Sequence, residues 1–262
     1  MECTVLASGS TGNCIYISNG RSALVVDAGL SKKEMLARIG ASGGDPGLVD
    51  AILLTHEHTD HVRGADALAR SLGCPLIGTG GTLTAFRSTR QAIKKIPEQI
   101  CCTKGVSFTA GDFEVTPFAV SHDAAEPCGY AVRSDDLLLS IMTDTGIITT
   151  EMMEILAQSD GIVLESNHCP DMLSTGPYPE YLKRRIRSRT GHLSNTMAAD
   201  CLRELNGSLH TVILSHLSEV NNTPARAFAS SQEALGLDMS YIDLYVASPD
   251  IDCSCLSQTI KI

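Results

Sequence analysis

Three imidazoles and the Asp60 carboxylate stand within six residues, His56-Glu57-His58-Thr59-Asp60-His61, directly after the apolar run AILLT. Imidazole nitrogen and carboxylate oxygen are donors that zinc, manganese and related divalent ions take readily. Burying four such groups without a cation would demand a hydrogen-bond partner for each. The same grammar recurs singly further on, where His122 follows TPFAV, Asp144 follows LLLSIMT and His216 follows TVILS. Each is an apolar run carrying one ligand-capable residue to its C-terminal end, where a sheet edge gathers side chains from distant parts of a chain. A lone His or Asp there is ordinarily a turn residue or a satisfied core polar group. Beside the cluster, the seven donors exceed what one tetrahedral ion accepts and suit two ions sharing a carboxylate. The expected cofactor is a pair of divalent metal ions, zinc or manganese. The expected chemistry is hydrolysis by a hydroxide that bridges them.

Strands must deliver these residues. TVLASGS, CIYISNG and SALVVDAG, punctuated by glycine turns, read as a β-meander. A helix is expected from Ser31, its N-cap, to about Ile39, and then a buried strand over AILLT. GADALARSLG and TLTAFRSTRQAIKK have helical spacing around a short strand PLIGT, and residues 106–144 return to β character before helix and strand alternate to the end. Two β-rich halves with helices to cover them suggest sheet packed on sheet, in an α/β arrangement forming one domain over residues 1–262. With 43% hydrophobic residues, no Trp and only 4% aromatics, the core must be aliphatic.

A net charge of −10 argues against broad adhesion to nucleic acid, so any such contact must be local. The N-terminus lacks a basic segment followed by a long apolar run, and no stretch approaches the ~20 apolar residues of a membrane span. A soluble cytoplasmic protein without membrane partners is expected. The ten cysteines are scattered without a CxxC pair, which suits reduced thiols; neither Cys101-Cys102 nor Cys253 and Cys255 is assigned a role.

HEHTDH, the isolated His122, TDTG and SHLS resemble the ordered ligand motifs of the metallo-β-lactamase superfamily. The resemblance implies a four-layer αββα sandwich in which His56, His58 and His122 hold one metal, Asp60, His61 and His216 hold the other, and Asp144 bridges them. Asp27, in VVDAG, would support the ligands from behind. Within the superfamily the chain is similar to the YycJ/WalJ-type hydrolases, through SGSTGN at 8–13, HDAAEPCGY from His122, ESNHCPDML from Glu165, GHLSN from Gly191 and HLSEVNN from His216. That similarity implies a phosphodiesterase, a DNA exonuclease acting from the 5′ end. Asp60 would also position the nucleophile.

GHLSN further resembles the C-terminal part of ribonuclease Z, which implies that His192 steadies the leaving oxygen; His168, beside Cys169, is a separate candidate for supporting the site. ESNH stands where ribonuclease Z has an EATF-like stretch, and the short interval from Asp144 to His216 leaves no room for a long RNA-gripping arm or a β-CASP insertion. Basic residues crowd the stretch before GHLSN, so Lys183, Arg184 and Arg187, with Ser194 and Asn195, are candidates for binding substrate along a backbone path, beside Arg185 and Arg189. Arg87, Arg90, Lys94 and Lys95 form a second basic group. Two other readings compete: a hydrolase of a small phosphodiester, ester or thioester, and a metal-stabilised binding protein.

Overall fold

The computed structural model describes residues 1–90, 97–205, 209–236, 241–247 and 259–262; Lys94, Lys95, Cys253 and Cys255 lie outside them. Along the first half run β1 (Glu2–Ala7), β2 (Cys14–Ser18), β3 (Ala23–Val26), α1 (Lys32–Ala41), β4 (Val49–Leu53), α2 (Thr59–Val62), α3 (Ala65–Leu72), β5 (Leu76–Thr79), α4 (Gly80–Ser88) and β6 (Gln99–Cys102). The second half continues with β7 (Phe108–Ala110), β8 (Phe113–Ala119), β9 (Cys128–Ser134), β10 (Leu137–Met142), α5 (Thr150–Leu156), β11 (Gly161–Glu165), α6 (Pro170–Thr175), α7 (Glu180–Ile186), α8 (Asn195–Glu204), β12 (Thr211–Ser215), α9 (Pro224–Leu235), β13 (Asp243–Val246) and β14 (Thr259–Lys261).

The strands pair into two sheets of seven, ordered β14-β1-β2-β3-β4-β5-β6 and β13-β12-β11-β10-β9-β8-β7. Each is half antiparallel and half parallel, changing over at β3 in the first and at β10 in the second. Strands covered on both faces need apolar residues at every position, and ALVV of β3 and GIVLE of β11 are buried throughout. Alternation then sorts them: Leu24, Val26, Ala51 and Leu53 face Val115, Tyr130, Ile141 and Ile213 of the other sheet in a central core. Val25, Ile52 and Leu54 pack outward against Met35, Ile39, Leu68 and Phe86 of the helices on the first sheet. Met142, Leu164 and Leu214 pack outward against Met152, Ala198, Leu202 and Ala227 on the second. Three apolar layers separate four structural ones, the αββα sandwich.

Local signals set the helix ends. Ser31 caps α1 by a capping box with Glu34, as its position suggested. Thr79 caps α4, so that helix opens at Gly80, earlier than the periodicity of TLTAFR implies. No helix among the described residues is long and apolar enough to cross a membrane.

Candidate metal centre

The carboxyl ends of the parallel strands meet at one edge of the sandwich. Asp27 follows β3; His56 and His58 leave the strand end after β4, and α2 carries Asp60 and His61. From the second sheet come His122 beyond β8, Asp144 beyond β10, Glu165 at the end of β11 and His216 directly after β12. Among the described residues, four that are not glycine have positive φ, and three of them are Asp27 (58°), Asp144 (53°) and His216 (55°). Such backbone costs about 1–3 kcal/mol each and persists where surrounding structure over-determines it. Here it ends three strands abruptly, at the residues that turn toward the seam between sheets.

The donors fall into groups whose atoms lie within 4.8 Å of one another: His56, His58 and His122; Asp60, His61 and His216; and His56, His61 and Asp144, which joins the first two. His58 Nδ1 and His122 Nε2 are 3.3 Å apart, His61 Nε2 and Asp144 Oδ2 3.1 Å, and His216 Nε2 and Asp60 Oδ2 3.9 Å. Four of the five imidazoles are oriented from behind, each by an oxygen on its other nitrogen. Thr55 Oγ1 meets His56 Nδ1 at 3.0 Å, Asp27 Oδ2 accepts from His61 Nδ1 at 2.7 Å, the Gly191 carbonyl accepts from His122 Nδ1 at 3.2 Å, and Glu165 Oε1 accepts from His216 Nδ1 at 2.9 Å. This is how metal-binding histidines are held, with the opposite nitrogen left for the ion. His56 Nε2, His216 Nε2 and Asp144 Oδ2 are buried and have no hydrogen-bond partner. An orphaned buried polar atom costs about 1–3 kcal/mol, and converging ones are what a pair of dications relieves. The residues present fit two divalent metals.

Asp27 is also braced, taking the Thr55 N–H and hydroxyl at 2.9 and 2.8 Å. Burial works to depress His61, but Asp27 and Asp144 outweigh it and hold the ring well above its ordinary value. His216 is likewise lowered by burial yet held up at about 10 by Asp144, Asp60 and Glu165. Protons and cations compete for such nitrogens. Glu165 is fully buried and accepts from Thr145 N–H and Leu193 N–H at Oε2. Burial would raise its carboxyl, but His192 and His216 outweigh that and hold it down at about 2.

Glu165 Oε1 accepts from His192 Nδ1 at 2.7 Å, and the ring lines an open cleft above the ligands. Burial depresses His192, and the Glu165 carboxylate overrides it to hold the ring above the usual value. The cleft, of about 250 Å³, is walled by Tyr178, Leu182, Ile186 and Leu217 and fringed by Ser10, Arg185 and Ser218. His168 is buried behind it, bridged to Ser194, and burial lowers its ring to about 4.

Several expected substrate contacts face elsewhere. Lys183 is buried, its ammonium donating to the Ser174 carbonyl at 2.8 Å, because α7 turns this position inward against α6. Ser194 is the N-cap of α8, and Asn195 is buried in paired amide bonds with Asn222. Arg184 and Arg187 are exposed on α7 and at its end, outside the cleft lining. Arg185 is the basic residue of that stretch that reaches the cleft, where its Nε donates to Asp123 Oδ2 at 2.7 Å. Arg90 braces α4 by donating to the Val62 carbonyl.

Sequence reasoning did not single out Glu165 as a functional residue, although it ends the apolar strand GIVLE by the same grammar as the other donors. Asn13, within the SGSTGN stretch, was also missed; its amide nitrogen lies 2.9 Å from His61 Nε2 and 3.3 Å from Asp60 Oδ2. No periodicity marks it, since it sits in a loop.

The chain is similar to known proteins over most of its length. The β-lactamase superfamily domain matches residues 23–217. The exodeoxyribonuclease WalJ of Streptococcus pneumoniae is 36% identical over 256 residues, covering 94% of each chain. The exodeoxyribonuclease YycJ of Bacillus anthracis is 38% identical over 235 residues, 88% of each. Among solved structures, the metallo-β-lactamase fold protein YhfI of Bacillus subtilis superposes with a TM-score of 0.74 at 16% identity, over 95% of this chain and 97% of that one. With its fold, its ligand-bearing edge and its full-length relatives in agreement, the chain belongs to the β-lactamase superfamily and, within it, to the family of WalJ and YycJ.

Proposed function

We propose that the chain is a metal-dependent exodeoxyribonuclease that removes nucleotides from the 5′ end of DNA. The observation that carries this reading is the arrangement of His56, His58, His122, Asp60, His61, His216 and Asp144 in joined groups beneath a cleft that His192 lines beside them. The names of the relatives, WalJ and YycJ exodeoxyribonucleases, supply the substrate class.

His56, His58 and His122 would hold one divalent cation and Asp60, His61 and His216 the other, with Asp144 shared; zinc or manganese suits these donors. Such a pair, when bound, acidifies water and neutralises phosphate charge. The protein's own groups do the rest. Asp60 fixes where the attacking water stands. Glu165 locks His192 through Nδ1 at 2.7 Å, so the opposite nitrogen can donate to the departing oxygen. Arg185, at the cleft rim, supplies positive charge for a flanking phosphate once it exchanges Asp123 for substrate. Eight cysteines among the described residues are free thiols, which suits the reducing cytoplasm.

The test is end-labelled single- and double-stranded DNA carrying 5′-phosphate or 5′-hydroxyl, incubated with zinc- or manganese-loaded protein and with His58→Ala. Stepwise shortening from the 5′ end is expected, slowed in the variant by more than the ~100-fold that loss of a supporting partner alone can cost. Intact strands with metal verified as bound, beside turnover of a chromogenic ester, would replace the nuclease with a small-substrate hydrolase.

A further inference from the structure

The loop from Ser8 to Asn13, between β1 and β2, contributes no ligand and precedes the span matched by the superfamily domain, yet it grips all three ligands of one group. Ser8 Oγ accepts the backbone N–H of His216 at 2.6 Å. The Asn13 backbone N–H donates to the Asp60 carbonyl at 2.8 Å. Its side-chain nitrogen reaches Asp60 Oδ2 at 3.3 Å and His61 Nε2 at 2.9 Å. The amide cannot turn over, because Gly9 N–H donates to Oδ1 at 2.8 Å and the Gly9 carbonyl accepts from Nδ2 at 3.1 Å. From the other side, Gly29 N–H donates to the Asn13 carbonyl at 2.8 Å, and a Cβ on Gly29 would stand 1.7 Å from the Asp60 carbonyl oxygen. Only glycine lets the chain approach so closely. The other group takes its partners elsewhere: Thr55 for His56 and Gly191 for His122.

We infer that Asn13 is a positioning residue for the second divalent cation, the one assigned to Asp60, His61 and His216, and that it has no part in holding the first. With one amide hydrogen held by the Gly9 carbonyl, the other donates to the partly buried Asp60 Oδ2 and fixes the rotation of that carboxylate. An arriving cation displaces the proton of His61 Nε2 and takes its single lone pair, whereas a carboxylate oxygen has a second lone pair and keeps its bond to the amide. The group is thus preorganised by a loop whose neighbouring residue, Ser10, lines the substrate cleft. The inference rests on the two-cation reading of the site.

The experiment loads wild type, Asn13→Ala and, as a change in the same loop, Thr11→Ala with zinc. Metal equivalents are counted after gel filtration, transfer of each equivalent to a chromogenic chelator is followed, and unfolding is recorded in excess chelator. Asn13→Ala is expected to keep one equivalent at wild-type affinity and to bind the other about 10- to 100-fold more weakly, the usual effect of removing a residue that orients a ligand. Its melting temperature in chelator should fall by roughly 2–12 °C, the cost of about 1–3 kcal/mol for the Gly9 N–H left without its acceptor, and Thr11→Ala should keep both equivalents. Wild-type affinity for both metals in Asn13→Ala would overturn the inference. So would equal loss of both, since the loop would then be scaffold alone. Wild-type protein holding fewer than two equivalents would overturn the two-cation reading itself, and this inference with it.

Discussion

A general acid needs one ring nitrogen fixed and the other facing substrate, and His192 has its Nδ1 fixed 2.7 Å from buried Glu165 while its ring lines the cleft. Removing such a group lowers turnover by about 10²- to 10⁴-fold. His192→Ala should therefore cut DNA that much more slowly while retaining both metals. A 4-nitrophenyl phosphodiester, whose leaving group departs without a proton, should be spared most of the loss. An equal loss on both substrates would remove the role. At this scale the sequence was informative at the HEHTDH cluster and wherever an apolar strand ended in a lone His or Asp, and the structure brings those seven residues to one place. It was less informative where a run of like residues hid which one faces inward. Lys183 and Arg185 stand two apart on α7, one buried against Ser174 and the other at the cleft, and charge alone cannot separate them.

At the scale of elements, α7 and the turn before it decide what the cleft admits. Tyr178, Leu182 and Ile186 add apolar surface to a cleft lined also by the donors and His192. An aromatic face beside a phosphate site is how proteins hold an unpaired base, at about 1–3 kcal/mol per stacked base. Tyr178→Ala should raise KM for single-stranded ends by roughly 5- to 150-fold, with kcat little changed, and Tyr178→Phe should restore it because the ring is kept. An unchanged KM in Tyr178→Ala would place the terminal base elsewhere. The strands were legible from their apolar runs and the start of α1 from Ser31. The placing of α7 depends on contacts with α6 and the Gly191 loop, which no local pattern encodes.

At the scale of the molecule, the two sheets are joined twice, by a core drawing Leu24 and Leu53 from one and Tyr130 and Ile213 from the other, and by the ligands. His56, His58, Asp60 and His61 come from the first sheet's edge; His122, Asp144 and His216 come from the second's. A metal-loaded edge is therefore a clamp across the central seam, and we propose that residues 1–262 unfold as one unit. Without cations the unpartnered His56 Nε2, His216 Nε2 and Asp144 Oδ2 remain buried at a cost. A ligand present at 100 times its dissociation constant stabilises by about 2.7 kcal/mol per site, and about 1 kcal/mol moves the melting temperature of a chain this size by roughly 2–4 °C. Chelation should thus lower the melting temperature by about 10–20 °C for two such sites, in a single calorimetric transition with or without metal. Two transitions that separate on chelation would mean that the shared core is too weak to couple the sheets and that the metals alone hold them together. One transition that chelator leaves in place would mean that the clamp adds nothing to the core and that the donors at this edge do not hold cations tightly.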